Sequence, residues 1–349
     1  MELADEITAL AEAHAFSGVV RVDRGDETVL AAAFGLADRA SGRRLTQDTR
    51  LALASVTKTF TAMTVVSLVV DGTLSLTTTA RSLLGDDLPM IDDAVTIEQL
   101  LAHRSGIGDY LDEDAVESIA DYVLAVPVHR LDSAEAYLAV LDGHPQTSPP
   151  GTSFVYNNGG YVVLAILSER AADAGYHDLV AERVGRPAGA TTLGFARSDS
   201  PAADLATGYL DATGPRTNAL HLPLLGVGDG GTSATVDDVH RVWRAFLGGR
   251  IVPAEWVVRM TAPNGDFETG RARYGLGFWL DADGPGIEME GYDAGISARS
   301  HHDPAADVTW TVVSNWSDGA WPVANALPAL LAAHGLLRAA EPSDGTTGE

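Results

Sequence analysis

Ser55 and Lys58 stand three residues apart in the stretch LALASVTKTFTAM, residues 51–63. On a helix that spacing puts a hydroxyl and an amine on one face of one turn. A serine hydroxyl is a weak nucleophile until a neighbouring base takes its proton. A lysine amine can be that base; arginine, which stays protonated in proteins, cannot. Lys58 is the only lysine in the chain, and the other 22 of the 23 basic residues are arginine. Ser55 reads as an N-cap or first-turn residue, followed by the apolar Phe60, Met63, Val66, Leu68 and Val69 of a buried helix. A helix N-terminus disfavours a second positive charge, so an amine placed there gives up its proton more readily. The bland alternative is that S-x-x-K arises by chance in many chains, and that an arginine-rich composition leaves a stray lysine.

A second group lies in TSFVYNNGG, residues 152–160, just ahead of a strongly apolar helical run. A phenol at a helix start usually only packs. Next to a serine–lysine pair, however, Tyr156 can relay a proton. The Asn158 amide can hold the lysine or a substrate carbonyl. His301-His302-Asp303 has the composition of a metal tract, but strand alternation sends the two histidines to opposite faces, so no metal site is expected. His103 fits a structural or cleft-lining role. No G-x-S-x-G, H-E-x-x-H or phosphate loop is present, and no cofactor is expected.

The elements around these groups fall into a pattern. A first helix at about 2–14 precedes two strands joined by a turn at Arg24-Gly25-Asp26. A helix from Ser55 to about Asp71 ends in a glycine turn. Residues 80–205 read as helix and loop, with a short helix in TIEQLLAHRSGI and a strong one from Asn157 to Gly175. Thr235 caps a further helix, with Asp237 and Asp238 in its first turn. Strand-like runs follow at YGLGFWLD, GISARSHHD and VTWTVVSNW, then a last helix at about 321–338. Strands at both ends with helices between them predict an α+β fold. Its antiparallel sheet is built from residues 1–79 and 206–349, and a helical domain at 80–205 is inserted.

Composition narrows the partners. Hydrophobic residues make up 46% of the 349, enough for a full core. A formal net charge of −25 argues against nucleic acid and anionic membranes. Without cysteine there is no disulfide, thiolate zinc site or cysteine nucleophile. The acidic start MELADEITALAEAHAF does not read as a signal peptide, and no run of about 18 apolar residues follows, so a cytoplasmic chain is expected. The tail EPSDGTTGE is expected to fray.

Taken together the stretches resemble the penicillin-recognising serine hydrolases. The nearest branch is the class C β-lactamase-like one, with its esterases, D-aminopeptidases and DD-peptidases. The carrying residues are SVTK (Ser55, Lys58) and YNN (Tyr156, Asn158), with LLAHRSGI, PPGTSFVYNN, GGTSATVDDV and YGLGFWL in support. The resemblance implies Ser55 as acylated nucleophile, Lys58 with Tyr156 as the base system, and a site in the cleft between sheet and helices. The family's third element is a strand carrying Lys-Thr-Gly or His-x-Gly. Here Met289-Glu290-Gly291 takes that place, or Tyr292 in a second register, so no lysine or histidine is present to hold a substrate carboxylate. The amides of Ser55 and Tyr292 would form the oxyanion hole. The expectation is a hydrolase of small esters or amides with substrate contacts at Asn158, Met289, Gly291 and Tyr292. The alternatives are a weak β-lactamase or D-aminopeptidase, or a binding or sensor protein that no longer turns over.

Overall fold

In the strand Gly18–Arg24 (β1), alternate side chains face opposite ways: Val19 joins one apolar cluster, Val20 and Val22 another. The sheet that this strand belongs to is therefore buried on both faces. In the computed structural model, which describes residues 2–111, 118–200, 202–265 and 272–338, β1 pairs with Glu27–Phe34 (β2) through the expected turn, where Gly25 has φ 56°. The tail at 341–349 lies outside the described residues. Five further strands are Ala272–Tyr274 (β3), Trp279–Asp281 (β4), Ile287–Asp293 (β5), Ile296–Asp303 (β6) and Val308–Ser314 (β7). They complete a seven-stranded sheet in the order β2-β1-β7-β6-β5-β4-β3, with every pair antiparallel. The two ends of the chain meet in its middle, where Val20 lies opposite Val312.

The helices Leu3–Ala13 (α1) and Trp321–Ala333, close to the expected spans, cover one face through Ile7, Leu327 and Leu331 packed on Val20, Trp310 and Val312. The other face carries the larger cluster. It runs from Val19 through Phe60, Met63 and Val66 of the helix Thr57–Val70 (α2), to Val162 and Leu164 of Asn158–Ala172 (α3), and on to Met289. Twelve of the fourteen residues of α2 are buried, so this helix is a central rod rather than a surface element.

Four boundaries differ from the sequence reading, the first at YGLGFWLD, where Tyr274 ends β3 and Trp279 opens β4 in place of one continuous run. The segment at Ser55 starts as a 3₁₀ turn, Ala54–Val56, and becomes α-helical only at Thr57, so Ser55 does not serve as a side-chain cap. The strong helix stops at Ala172 because Asp173 takes a left-handed conformation, φ 50°, ahead of Gly175. The helix in TIEQLLAHRSGI is held at its start by a Thr96–Gln99 capping box and stops at Leu101, short of Gly106. The cap at Thr235 is as expected, with its side chain accepting from the Asp238 amide and opening Val236–Leu247 (α4).

The interface of α4 with the sheet contains a buried polar chain that ends on the Asp23 carboxylate. The Trp243 indole can only donate, and it donates to Ser300 Oγ at 2.8 Å. Asp23 Oδ2 can only accept, so His240 Nδ1–H donates to it at 2.9 Å; a neutral His240 then accepts through Nε2 from Thr311, which accepts from Ser300. Burial pushes the His240 pKa down, which favours that neutral ring. Burial also pushes Asp23 up, but hydrogen bonds from His240 and Arg21 outweigh it and hold Asp23 well below the carboxylate range. Both shifts act in one direction. An unfolded histidine takes up a proton below about pH 6.5, and an unfolded aspartate below about 3.9. Stability is complete above those values and falls as pH drops through them. Thermal unfolding between pH 7 and pH 4 should show a steadily falling Tm. Asp23→Asn should lose about 3–5 kcal/mol in urea titrations at pH 7, the cost of breaking a buried ion pair.

Candidate active site

A sharp turn at residues 53–55 positions the hydroxyl of Ser55. Leu53 N–H donates to Thr232 O at 2.9 Å, as part of a small three-stranded sheet made by Leu51–Ala52, Thr232–Ala234 and Gly194–Phe195. Ala54 then takes φ 47°, a left-handed conformation that a residue with a Cβ adopts only when its surroundings hold it there. Thr57 Oγ1 does the holding: it donates to Ala54 O at 2.7 Å and accepts from the Thr232 amide at 3.1 Å. On the far side β5 presses against the turn at Gly291. A Cβ there would lie 2.2 Å from Leu53 O and 3.1 Å from Ser55 N, so the strand approaches this closely because residue 291 has no side chain.

The lone lysine lies one turn into the rod. Lys58 is 2% exposed, and its Nζ has three oxygen partners: Ser55 Oγ at 2.8 Å, Asn158 Oδ1 at 2.7 Å and Asp229 O at 2.9 Å. The orientation of Asn158 is fixed from its other end, where Nδ2 donates to Leu111 O at 3.1 Å. Both Asn158 Oδ1 and Asp229 O can only accept, so two N–H groups of Lys58 are committed to them. The third direction points at Ser55. It carries an N–H if the amine is charged and the lone pair if it is neutral.

Residues 109–111 act as a bracket around this arrangement. The Asp109 carboxylate accepts from the Asn158 amide at 2.6 Å and the Gly159 amide at 2.9 Å, capping the start of α3. Tyr110 donates to Asp229 Oδ2 at 2.5 Å, and Leu111 O receives the Asn158 amide group. Two of the three oxygens around Lys58 are thereby tied to one short segment. Burial pushes both Asp109 and Asp229 up from their ordinary range, against the backbone amides in the first case and the Lys58 charge and Tyr110 hydrogen bond in the second.

Tyr156 is half-buried, with its ring centroid 4.9 Å from Lys58 Nζ. It is sandwiched by His103 at 4.4 Å and by Trp279 of β4, stacked at 5.8 Å and 12°. His103 accepts from the Asn157 amide through Nδ1 at 3.0 Å, and burial first, with the Lys58 charge, holds it well below its usual pKa, so it is a neutral wedge.

A cavity of about 230 Å³ opens beside Ser55, with Asn158, Tyr292, Asp229 and Asp293 on its wall. Of the residues predicted from sequence, Ser55, Lys58, Tyr156 and Asn158 come together, Gly291 packs beneath the Ser55 turn, and Tyr292 lines the cavity. Met289 does not: alternation along β5 turns it toward α2, where it is 1% exposed in the apolar core. The Tyr292 hydroxyl reaches the other way, to Asp318 Oδ1 at 3.2 Å. His301 and His302 separate as expected, His301 stacking on Trp310 and His302 lying near Trp243 on the opposite face. Sequence reasoning missed Asp109, Tyr110, Asp229, Asp293 and Trp279. Only Asp229 gave a signal, as a carboxylate set among glycines in GVGDGG immediately before a strand.

The profile of the family described as Beta-lactamase matches residues 3–334. A D-aminopeptidase of Cereibacter sphaeroides is 26% identical over 341 residues, 95% of this chain and 63% of that protein, so the chain spans less than two thirds of this relative. A penicillin binding protein from Bacillus halodurans superposes with a TM-score of 0.87 at 30% identity, covering 93% of this chain and 99% of that one. The D-amino acid amidase of Ochrobactrum anthropi SV3, complexed with L-phenylalanine amide, shares the fold at a TM-score of 0.78 and 21% identity, covering 96% of this chain and 99% of that one.

The close approach at Gly291 is directly testable. Gly291→Ala should lower the unfolding free energy by about 1–3 kcal/mol, the usual cost of an added methyl in a packed site. Chemical denaturation measures it. A variant as stable as the parent would mean that β5 does not press on the Ser55 turn as described.

Proposed function

The chain belongs to the Beta-lactamase family of serine hydrolases, and from that premise we propose that it cleaves small amides or esters through an acyl-enzyme on Ser55. The observation that carries this is the Lys58 amine, dry and 2.8 Å from Ser55 Oγ, with its other two partners fixed as acceptors. In that setting a neutral amine directs its lone pair at the serine hydroxyl, the arrangement that general-base activation needs. Ser55 Oγ attacks the carbonyl carbon and its proton passes to the Lys58–Tyr156 pair. The pair then returns the proton to the leaving amine or alcohol. Water repeats the sequence to release the acid. The amides of Ser55 and Tyr292 are the oxyanion donors in this reading, supported by the close packing of Gly291 beneath Ser55. The site lies where the sheet domain, 1–79 and 206–349, meets the helical segment 80–205: Ser55 and Lys58 come from the first, Tyr156 and Asn158 from the second.

Amides and esters are favoured over β-lactams for a local reason. At the third-motif position Met289 is turned into the core, so it offers no charge to a substrate carboxylate. The naming of relatives as D-aminopeptidase and D-amino acid amidase supports the same class.

Two measurements test the reading. Ser55→Ala should stay folded and lose both p-nitrophenyl ester hydrolysis and fluorophosphonate labelling; retained turnover in the folded variant overturns the nucleophile. Lys58→Arg keeps the charge but cannot accept a proton, so kcat should fall at least about a hundredfold. A near-normal kcat in folded Lys58→Arg would remove Lys58 from the chemistry. For the unsubstituted protein nitrocefin should be a poorer substrate, by kcat/KM, than p-nitrophenyl butyrate.

A further inference from the structure

His103 grips the segment 155–157 at three points. Its main-chain oxygen accepts from the Val155 amide at 2.9 Å, its Nδ1 accepts from the Asn157 amide at 3.0 Å, and its ring lies 4.4 Å from the Tyr156 ring at 35°. It does so from φ 54°, a left-handed conformation uncommon outside glycine, just past the helix Ile97–Leu101. The Asn157 amide can only donate, so Nδ1 carries the lone pair and Nε2 the proton. That Nε2 is buried with no hydrogen-bond partner among the described residues, and the rings of Tyr161, Tyr274 and Phe154 surround the imidazole. A residue serving packing alone would carry no unmatched donor. What the imidazole supplies here is an acceptor at one edge and a flat face against Tyr156.

Trp279 closes the other face of the same phenol, stacked at 5.8 Å and 12°. Its position is tied to the helix that carries Lys58. Trp279 opens β4 two residues after Gly277, and the Gly277 carbonyl accepts from Thr59 Oγ1 at 2.6 Å, one residue beyond Lys58 in α2. A Cβ on Gly277 would lie 2.2 Å from the Cβ of Ala62, so the entry to β4 is packed directly onto α2. One side of the stack is therefore referenced to the segment of Tyr156, and the other to the helix of Lys58.

We propose that His103 and Trp279 are positioning residues for the proton transfer at Ser55: they clamp the Tyr156 ring from both faces and fix the direction of its hydroxyl relative to Lys58. The proposal rests on the reading of Lys58 and Tyr156 as the base pair and adds what aligns the two. Among the described residues that line the cavity beside Ser55, neither clamp residue is present. Loosening the clamp should therefore slow the chemical step and leave substrate binding nearly unchanged.

The experiment measures p-nitrophenyl butyrate hydrolysis by His103→Asn, Tyr156→Phe and the double variant. Asparagine tolerates a left-handed backbone, and its side-chain oxygen can accept from the Asn157 amide, so His103→Asn removes chiefly the ring. It should lower kcat by about tenfold to a hundredfold with KM within about twofold, the scale of a small misplacement of a reacting group. Tyr156→Phe should itself lose about a hundredfold. Added to Tyr156→Phe, His103→Asn should cost less than about twofold, because the hydroxyl through which it acts is gone. A near-normal kcat in His103→Asn overturns the proposal. So does an equal loss in both backgrounds, which is what general loosening of the fold would give; that result leaves the base pair standing. If His103→Asn does not fold, Trp279→Leu opens the opposite face of the same ring and is read by the same outcomes. A near-normal kcat in folded Tyr156→Phe overturns the base pair itself, and the clamp with it.

Discussion

One buried amine with three fixed oxygen partners ties the site together. Lys58 Nζ joins the turn at Ser55, the start of α3 at Asn158 and the loop at Asp229, all within 2.7–2.9 Å. Each partner has its own support. Ser55 is set by the left-handed Ala54 and the Thr57–Thr232 staple, Asn158 by Asp109 and Leu111, and Asp229 by Tyr110. A polar group buried this deeply is tolerated only when its hydrogen bonds are complete. The demands of one amine therefore account for why a strained turn, a capped helix and a glycine-rich loop meet at the same point.

Charge is distributed unevenly around that point. The molecule carries −25 overall, yet its carboxylates are mostly at the surface or paired with arginine. Asp109 and Asp229 are exceptions: they sit near Lys58 without arginine partners, and burial pushes both upward. The Asp23–His240 chain at α4 shows the contrasting solution. There a neutral histidine and two arginines satisfy a buried aspartate completely, and its pKa falls. Serine, histidine and aspartate occur together in that chain too. However, Ser300 Oγ accepts from the Trp243 indole and meets Thr311 rather than the imidazole, so no base stands beside it for nucleophilic work.

Much of the architecture was legible because it rests on local pattern. Alternation and turn glycines located β1, β2, β6 and β7, and capping residues located α4. The S-x-x-K and Y-x-N groups were legible because their chemistry depends on residue type and short spacing. The failures have a different origin. Met289 was placed at the substrate by motif position, but the parity of β5 decides its direction, and parity is set by where Gly291 must face the Ser55 turn. Asp109, Tyr110 and Asp293 carry no local signature. They matter only because the fold brings residues 109–111 against 158–159 and Asp229, and the end of β5 onto the same cavity wall as the loop at 229, an arrangement that no short stretch of sequence encodes. Of the two roles expected for Ser55, first-turn residue holds and side-chain cap does not, for a related reason. The tertiary staple from Thr232 winds the entry tightly enough to make it a 3₁₀ turn.

The isolation of Lys58 among arginines follows from the same geometry. Its three acceptors surround a single nitrogen, and each is held by other contacts. A guanidinium spreads five donors over a plane and suits carboxylates at a protein surface, as at Arg170 with Asp87 and Glu135. It cannot direct donors from one atom at three convergent oxygens, and Lys58 is only 2% exposed. In a chain whose every other basic residue is arginine, a lysine suits this position because its three acceptors converge on a single nitrogen. That constraint operates whether or not the amine ever gives up its proton, so the presence of lysine is explained by shape alone. Base chemistry demands something further, that the one direction left uncommitted by Asn158 and Asp229 faces a nucleophile, and the direction left over is the one occupied by Ser55 Oγ.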